Sequence, residues 1–317
     1  MKKVLGLIVA SILLVSCGAQ AAPAPEGGKL KVVATTSIVA DVVAQVGGDL
    51  IDLEILLPVG TDPHSFEPTP QDIVKVSDAD VVFANGAGLE AFLGPLLESA
   101  GASVKIVEVS AGIALLEHPK AREAAEDHDH DEEGEEHKYD QPAGDPHTWV
   151  DPNNVMIWVS NIEAALTKAD PANATSYAAN AAAYTVQLKE IDGWIREQID
   201  QIPLENRKIV TDHRLLGYYV EEYGLEQVGA IVPGYSSLSE PSAQELAQIE
   251  DAIRSLGVVA VFVGNTVNPN MAERVAADTG VKLVHFYTGS LSPAGGEAST
   301  YLDYLRYNTN AFVNALK

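Results

Sequence analysis

Short, valine-rich apolar runs alternate with stretches of helical spacing along most of the chain. Residues 32–35, 53–57, 81–84 and 104–109 are too short for stable helices and rich in β-branched side chains, which predicts strands. Helical patterns at 38–46, 71–76 and 89–99 separate them, and 154–167 adds a further helix. After Pro203 the rhythm resumes, with strands expected at 208–211, 227–232, 258–263 and 282–287. Helices are expected at 216–223, 243–256, 271–279 and 300–316. Strands that alternate with helices in this way predict βα units and mainly parallel sheets.

Between the two series, Asp170-Pro171 has the form of an N-cap followed by proline at the first helical position. The segment to Gln201 then contains one glycine, Gly193, and no further proline. Tyr177, Tyr184, Leu188, Ile191, Ile195 and Ile199 recur on one helical face. Such a helix would be roughly 45 Å long at about 1.5 Å per residue. The expected fold is α/β: two lobes, each a mainly parallel sheet flanked by helices, joined by one long rigid helix. The expected boundaries are 29–168 for the N-terminal lobe, 169–202 for the linking helix and 203–317 for the C-terminal lobe.

The first residues break this rhythm. Lys2 and Lys3 precede an apolar run, 4–15, too short to span a bilayer and laid out like a secretory signal. It ends in Leu14-Val15-Ser16-Cys17, which resembles the lipobox of bacterial lipoproteins, in which the cysteine is lipidated. Residues 1–17 are therefore expected to be a lipoprotein signal and the Ala/Pro/Gly-rich 18–28 a flexible tether. Cys17 is the sole cysteine, so no intrachain disulfide forms in spite of the exported destination. The implied location is the periplasmic or outer face of a bacterial membrane, with a lipid anchor. The formal net charge of −25 excludes nucleic acid as a partner.

Part of that charge is concentrated in 117–140, where His118, His128, His130 and His137 sit among Asp and Glu. Its core, 126–137, has no apolar side chain and cannot join a core, so a disordered loop is expected. Its imidazoles and carboxylates suit weak auxiliary metal binding that gathers zinc near a tighter site.

Four other histidines remain: His64, His147, His213 and His285. Ligands of open α/β sheets bind beyond the carboxyl ends of the strands. His64 follows the second expected strand and His213 the fifth, while His147 lies in the loop Asp145-Pro146-His147-Thr148-Trp149-Val150-Asp151-Pro152. Three converging imidazoles form a nitrogen site suited to Zn(II), at Zn–N distances of about 2.0–2.1 Å. Asp62, Asp145 and Asp212 stand beside these histidines, as orienting carboxylates or as loop and cap residues. Three histidines with an open position also describe a catalytic zinc site with bound water, although no H-E-x-x-H arrangement is present.

Thr61-Asp62-Pro63-His64-Ser65-Phe66-Glu67-Pro68 and the Asp145–Pro152 loop together resemble the paired signatures of the substrate-binding proteins of zinc and manganese ABC transporters. Ala84-Asn85-Gly86-Ala87-Gly88-Leu89-Glu90, Ser239-Glu240-Pro241-Ser242 and the closing Tyr301–Asn308 stretch agree, so the resemblance runs from Lys29 to the end. It implies a monomeric, non-enzymatic protein that holds one metal between its lobes and delivers it to a permease. The family's ligand positions fall on His64, His147 and His213. Histidine rather than glutamate at the third implies Zn(II), with Mn(II) as the alternative cargo. The family's usual fourth ligand, an aspartate, is replaced by Gly289 in Tyr287-Thr288-Gly289-Ser290. Water or His285 is then the candidate for the fourth position. His285 lies four residues upstream, roughly 13 Å back along a strand at about 3.3 Å per residue. A single connecting helix further implies a small closure rather than a wide hinge. A free-standing zinc buffer is the remaining alternative.

Overall fold

Alternation within each strand divides the protein into layers. The computed structural model describes residues 28–100, 105–117 and 144–317. β1 (Leu30–Ala34), β2 (Ile51–Ile55), β3 (Val81–Ala84) and β4 (Lys105–Glu108) pair in parallel in the order β2-β1-β3-β4. β5 (Lys208–Thr211), β6 (Glu226–Ala230), β7 (Ala260–Gly264) and β8 (Lys282–Phe286) repeat the pattern as β6-β5-β7-β8. The inner strands β3 (VVFA) and β7 (AVFVG) are buried at every position. That is why they read as continuous apolar runs. The edge strands β2 (IDLEI) and β8 (KLVHF) mix in charged or polar side chains.

Successive side chains on a strand point to opposite faces. On β3, Val81 and Phe83 enter one core while Val82 enters another; on β7, Ala260 and Phe262 join the first of these and Val261 and Val263 a third. One face of both sheets therefore shares a single core that runs through the molecule. The opposite face of each sheet has its own.

The shared core is built on α1 (Ser37–Gly47), α4 (Pro152–Ala169), α5 (Ala174–Ile199), α6 (Gly217–Tyr223) and α9 (Tyr301–Leu316). The private cores are covered by α2 (Pro70–Asp78) and α3 (Leu93–Ala100) in the first lobe, and by α7 (Ala243–Leu256) and α8 (Asn270–Thr279) in the second. α5 has 26 residues, roughly 39 Å at about 1.5 Å per residue. All six residues of its expected apolar face are buried, against α1 and α4 on one side and α9 on the other.

The start of the long helix differs from the expected one. Pro171–Asn173 forms a 3-10 turn, and the α-helix begins at Ala174. The Asp170 carboxylate accepts from the Asn173 amide (2.6 Å) and the Tyr177 hydroxyl (2.9 Å) instead of capping a first turn. Those bonds hold Asp170 to side chains three and seven residues ahead, and the helix starts three residues late.

Cys17, His118, His128, His130 and His137 lie outside the described residues, as do the signal, the tether up to residue 27 and most of the acidic run. No helix among the described residues is long and apolar enough to cross a membrane.

Candidate metal centre

Each of the three histidines is held by a different local device. In the first lobe, the ladder between β1 and β2 runs on through Leu56 and Leu57, whose N–H groups donate to Ala34 and Thr35. The chain then leaves the sheet through Pro58 and Gly60 towards a buried Pro63 and His64. Asp62 Oδ1 accepts the His64 backbone N–H at 3.0 Å, and its Oδ2 accepts from the Ser237 hydroxyl of the second lobe.

His147 follows the rigid Asp145-Pro146 step and precedes a 3-10 turn, Thr148–Val150. Asp145 Oδ1 accepts both the His147 backbone N–H (2.9 Å) and its ring Nδ1–H (2.7 Å). The Asn85 amide donates to the Pro146 carbonyl at 3.0 Å, and Ser110 bonds Thr148 at 2.8 Å. Trp149, with its ring 5.1 Å from that of His147, donates from Nε1 to the Thr288 carbonyl of the second lobe at 3.1 Å.

His213 stands directly past β5. Asp212 Oδ1 accepts its backbone N–H at 2.6 Å and also its ring Nδ1–H, while Oδ2 accepts from the Gly264 N–H at the end of β7. Only a protonated Nδ1 can donate to a carboxylate, so in His147 and His213 Nε2 is the nitrogen left for metal, turned away from the aspartates.

The three rings converge. Their ligating nitrogens lie within 4.8 Å of one another, with ring centroids 5.2–5.6 Å apart. The Nε2 atoms of His64 and His147 are 3.2 Å apart. Two nitrogens bound to one zinc at about 2.05 Å and the tetrahedral angle would be separated by about 3.3 Å. The enclosed space among them is about 10 Å³, room for an ion or one water. His147 is 1% and His213 4% exposed.

Burial, then the neighbouring His147 and His213, push the His64 ring down to about 3. Burial and His213 likewise hold His147 well below the usual imidazole range. Burial acts the same way on His213, but Asp212, with Asp62 and Asp145 beyond it, outweighs it and leaves that ring raised. Two of the three imidazoles are thus held towards the neutral form and His213 towards the protonated one.

The alternatives left open for the aspartates and for His285 now separate. Asp145 and Asp212 accept from imidazole rings, whereas the Asp62 carboxylate accepts from the His64 backbone and from Ser237 of the opposite lobe. His285 is no fourth ligand: it is exposed on β8, opposite Val263 in the register, and lines a separate surface groove with Tyr307. The pocket wall is formed instead by Thr288 and Gly289, past the end of that strand. A Cβ on Gly289 would lie 2.7 Å from Pro63 Cδ, so the second lobe seats on the Pro63 ring where a side chain would otherwise intrude.

Ser237, Thr266 and Thr288 were not singled out by sequence, since isolated hydroxyls in loops carry no chemical pattern. Trp149 stood in the motif without a role.

This architecture defines a two-lobed binding protein with a buried nitrogen-donor site at the seam of its lobes. Residues 32–315 match the family of the periplasmic component A of the zinc-uptake complex, ZnuA. The chain belongs to that family of metal-binding substrate-binding proteins of ABC transporters, which are solute carriers and not enzymes. It is 35% identical over 313 residues to the manganese-binding lipoprotein MntA of Halalkalibacterium halodurans, covering 98% of this chain and 96% of the relative. The Mn-bound periplasmic metal-binding protein of Candidatus Liberibacter asiaticus superposes with a TM-score of 0.77 at 27% identity, covering 91% of this chain and 100% of that one. The periplasmic zinc-binding protein TroA of Treponema pallidum gives 0.79 at 26% identity, covering 91% and 99%.

Proposed function

We propose that this protein captures one Zn(II) ion on His64, His147 and His213 and delivers it to an ABC permease for import. The observation that carries this reading is the convergence of three imidazole nitrogens, two of them fixed in tautomer by aspartates. A nitrogen donor set suits Zn(II), whereas Mn(II) prefers more carboxylate and carbonyl oxygen. The second reading is Mn(II) as cargo, favoured by the similarity to manganese-binding MntA and to the Mn-bound Liberibacter protein.

Lipidation at Cys17 anchors the monomer to the outer face of the membrane in this reading, in line with relatives that are named lipoproteins. The histidines of 118–137 gather metal for the cleft. The 29–168 and 203–317 lobes close over the ion, with 169–202 as their common spine.

The test is competition between Zn(II) and Mn(II) on purified protein, with His147→Ala beside it. We expect one tight Zn(II) per chain, weaker Mn(II), and loss of the tight site in the variant. Retention of tight metal by His147→Ala would sink the site, and tighter Mn(II) than Zn(II) would establish the second reading.

A further inference from the structure

We infer that a solvent-facing cavity on the second lobe is the passage by which a hydrated divalent cation reaches the three-histidine site. This rests on the proposed capture at His64, His147 and His213 and adds the route. The cavity has a volume of about 390 Å³, against about 10 Å³ for the site itself. His213 is the one residue that lines both.

The cavity combines exposed polar residues and buried ones with an apolar wall that includes Ile231, Val267 and Met271. Ser239, Glu240, Asn268 and Asn270 at the mouth are exposed, while Asp212 and His213 at the inner end are buried. No lysine or arginine lines it. Six waters around an ion occupy roughly 180 Å³ at about 30 Å³ each, so a hydrated cation fits the cavity but not the site. The ion must therefore shed water between them, where the first imidazole it meets is His213.

The partition between the two spaces is also visible. Asp62 lines the site, Ser237 lines the cavity, and the Ser237 hydroxyl donates to Asp62 across the lobe boundary. In the proposed route that bond is the barrier between the two spaces beside His213. Because Asp62 also holds the His64 backbone, opening the partition loosens the first-lobe ligand at the moment the passage clears.

The experiment measures Zn(II) association by stopped flow and dissociation into a chelator trap, on the full mature chain. Ser239→Trp fills the mouth from an exposed position, and Asn268→Trp does so from the opposite lip should the first variant not fold. We expect both rate constants to fall by about tenfold with equilibrium affinity and melting temperature unchanged, the signature of a blocked route. Ser237→Ala should raise both rates together. Unchanged rates in the tryptophan variants would overturn the passage, since the ion would then enter past His64 or through separated lobes. A change in affinity without a matched change in both rates would overturn it too, by showing a structural role. Failure of the three-histidine reading is separate, because tight Zn(II) would then persist in His147→Ala.

Discussion

Thr35 in the first lobe and Asp212 in the second occupy the same place in the same frame. Thr35 N–H donates to Phe83 and its carbonyl accepts from Leu57; Asp212 N–H donates to Phe262 and its carbonyl accepts from Val232. The loops that follow Leu57 and Val232 both begin with proline, Pro58 and Pro233. Beyond this the lobes diverge. In the first, the Thr35 hydroxyl donates to Glu90, whose carboxylate also accepts the N–H groups of Asn85 and Gly86 after β3. In the second, Asp212 reaches Gly264 at the end of β7 by itself and gives its other oxygen to His213. Thr36, the counterpart of His213, caps α1 by accepting from Val39 at 3.2 Å. One frame thus supports a closed structural knot in one lobe and a metal-facing imidazole in the other, and the difference is which side chain spans the first and third strands.

Removing each carboxylate is the strongest way to break this contrast. Asp212→Ala should weaken Zn(II) binding by about 10–100-fold, because the ring loses the partner that fixes its tautomer and orientation. Glu90→Ala should leave Zn(II) affinity unchanged but cost about 1–3 kcal/mol for each buried donor it strands. Isothermal titration of the folded variants and urea unfolding of the metal-free forms separate the two. Comparable losses of affinity in both would refute the division of roles.

Proton competition sharpens the same point. Metal needs neutral imidazoles, and burial already keeps His64 and His147 neutral in the empty site. Only His213 is raised, so it holds the proton that metal must displace. Zn(II) affinity should be flat above the His213 pKa and fall by about tenfold per pH unit below it, one proton per ion. Asp212→Asn removes the charge that raises His213, so the break in the profile should move to lower pH. A slope of two or three protons per ion would mean that His64 and His147 also titrate in the working range.

Much of this was legible in advance, for identifiable reasons. Strands buried on both faces, such as β3 and β7, must be apolar throughout and stand out from their surroundings. Scarce histidines after strand ends pointed to the cleft, and the Asp-Pro-His steps tied His64 and His147 to the family. What stayed hidden depends on direction rather than identity. Asp62, Asp145 and Asp212 each stand within two residues of a histidine, yet only two bond an imidazole ring, because the fold around each loop decides which donors its carboxylate meets. The shared core was equally hidden, since periodicity shows that α5 has an apolar face but not that both lobes pack on it.

The smallest effect concerns the element that belongs to neither lobe. Gly193 lies on the exposed side of α5, and a Cβ there would meet nothing within 4 Å. An alanine needs no new space, restricts the unfolded chain and suits a helix interior, so Gly193→Ala should stabilise the protein by about 0.5–1 kcal/mol. Because α5 packs on α1 and α4 as well as α9, that gain should be shared by both lobes in one cooperative transition. Zn(II) affinity and both rate constants should stay as they are if the lobes close by small shifts over a straight spine. The measurements are thermal unfolding and metal titration on the same preparation. A stabilised variant whose Zn(II) affinity or exchange rates had shifted would mean that α5 bends at Gly193 during capture, and the spine would then be a hinge.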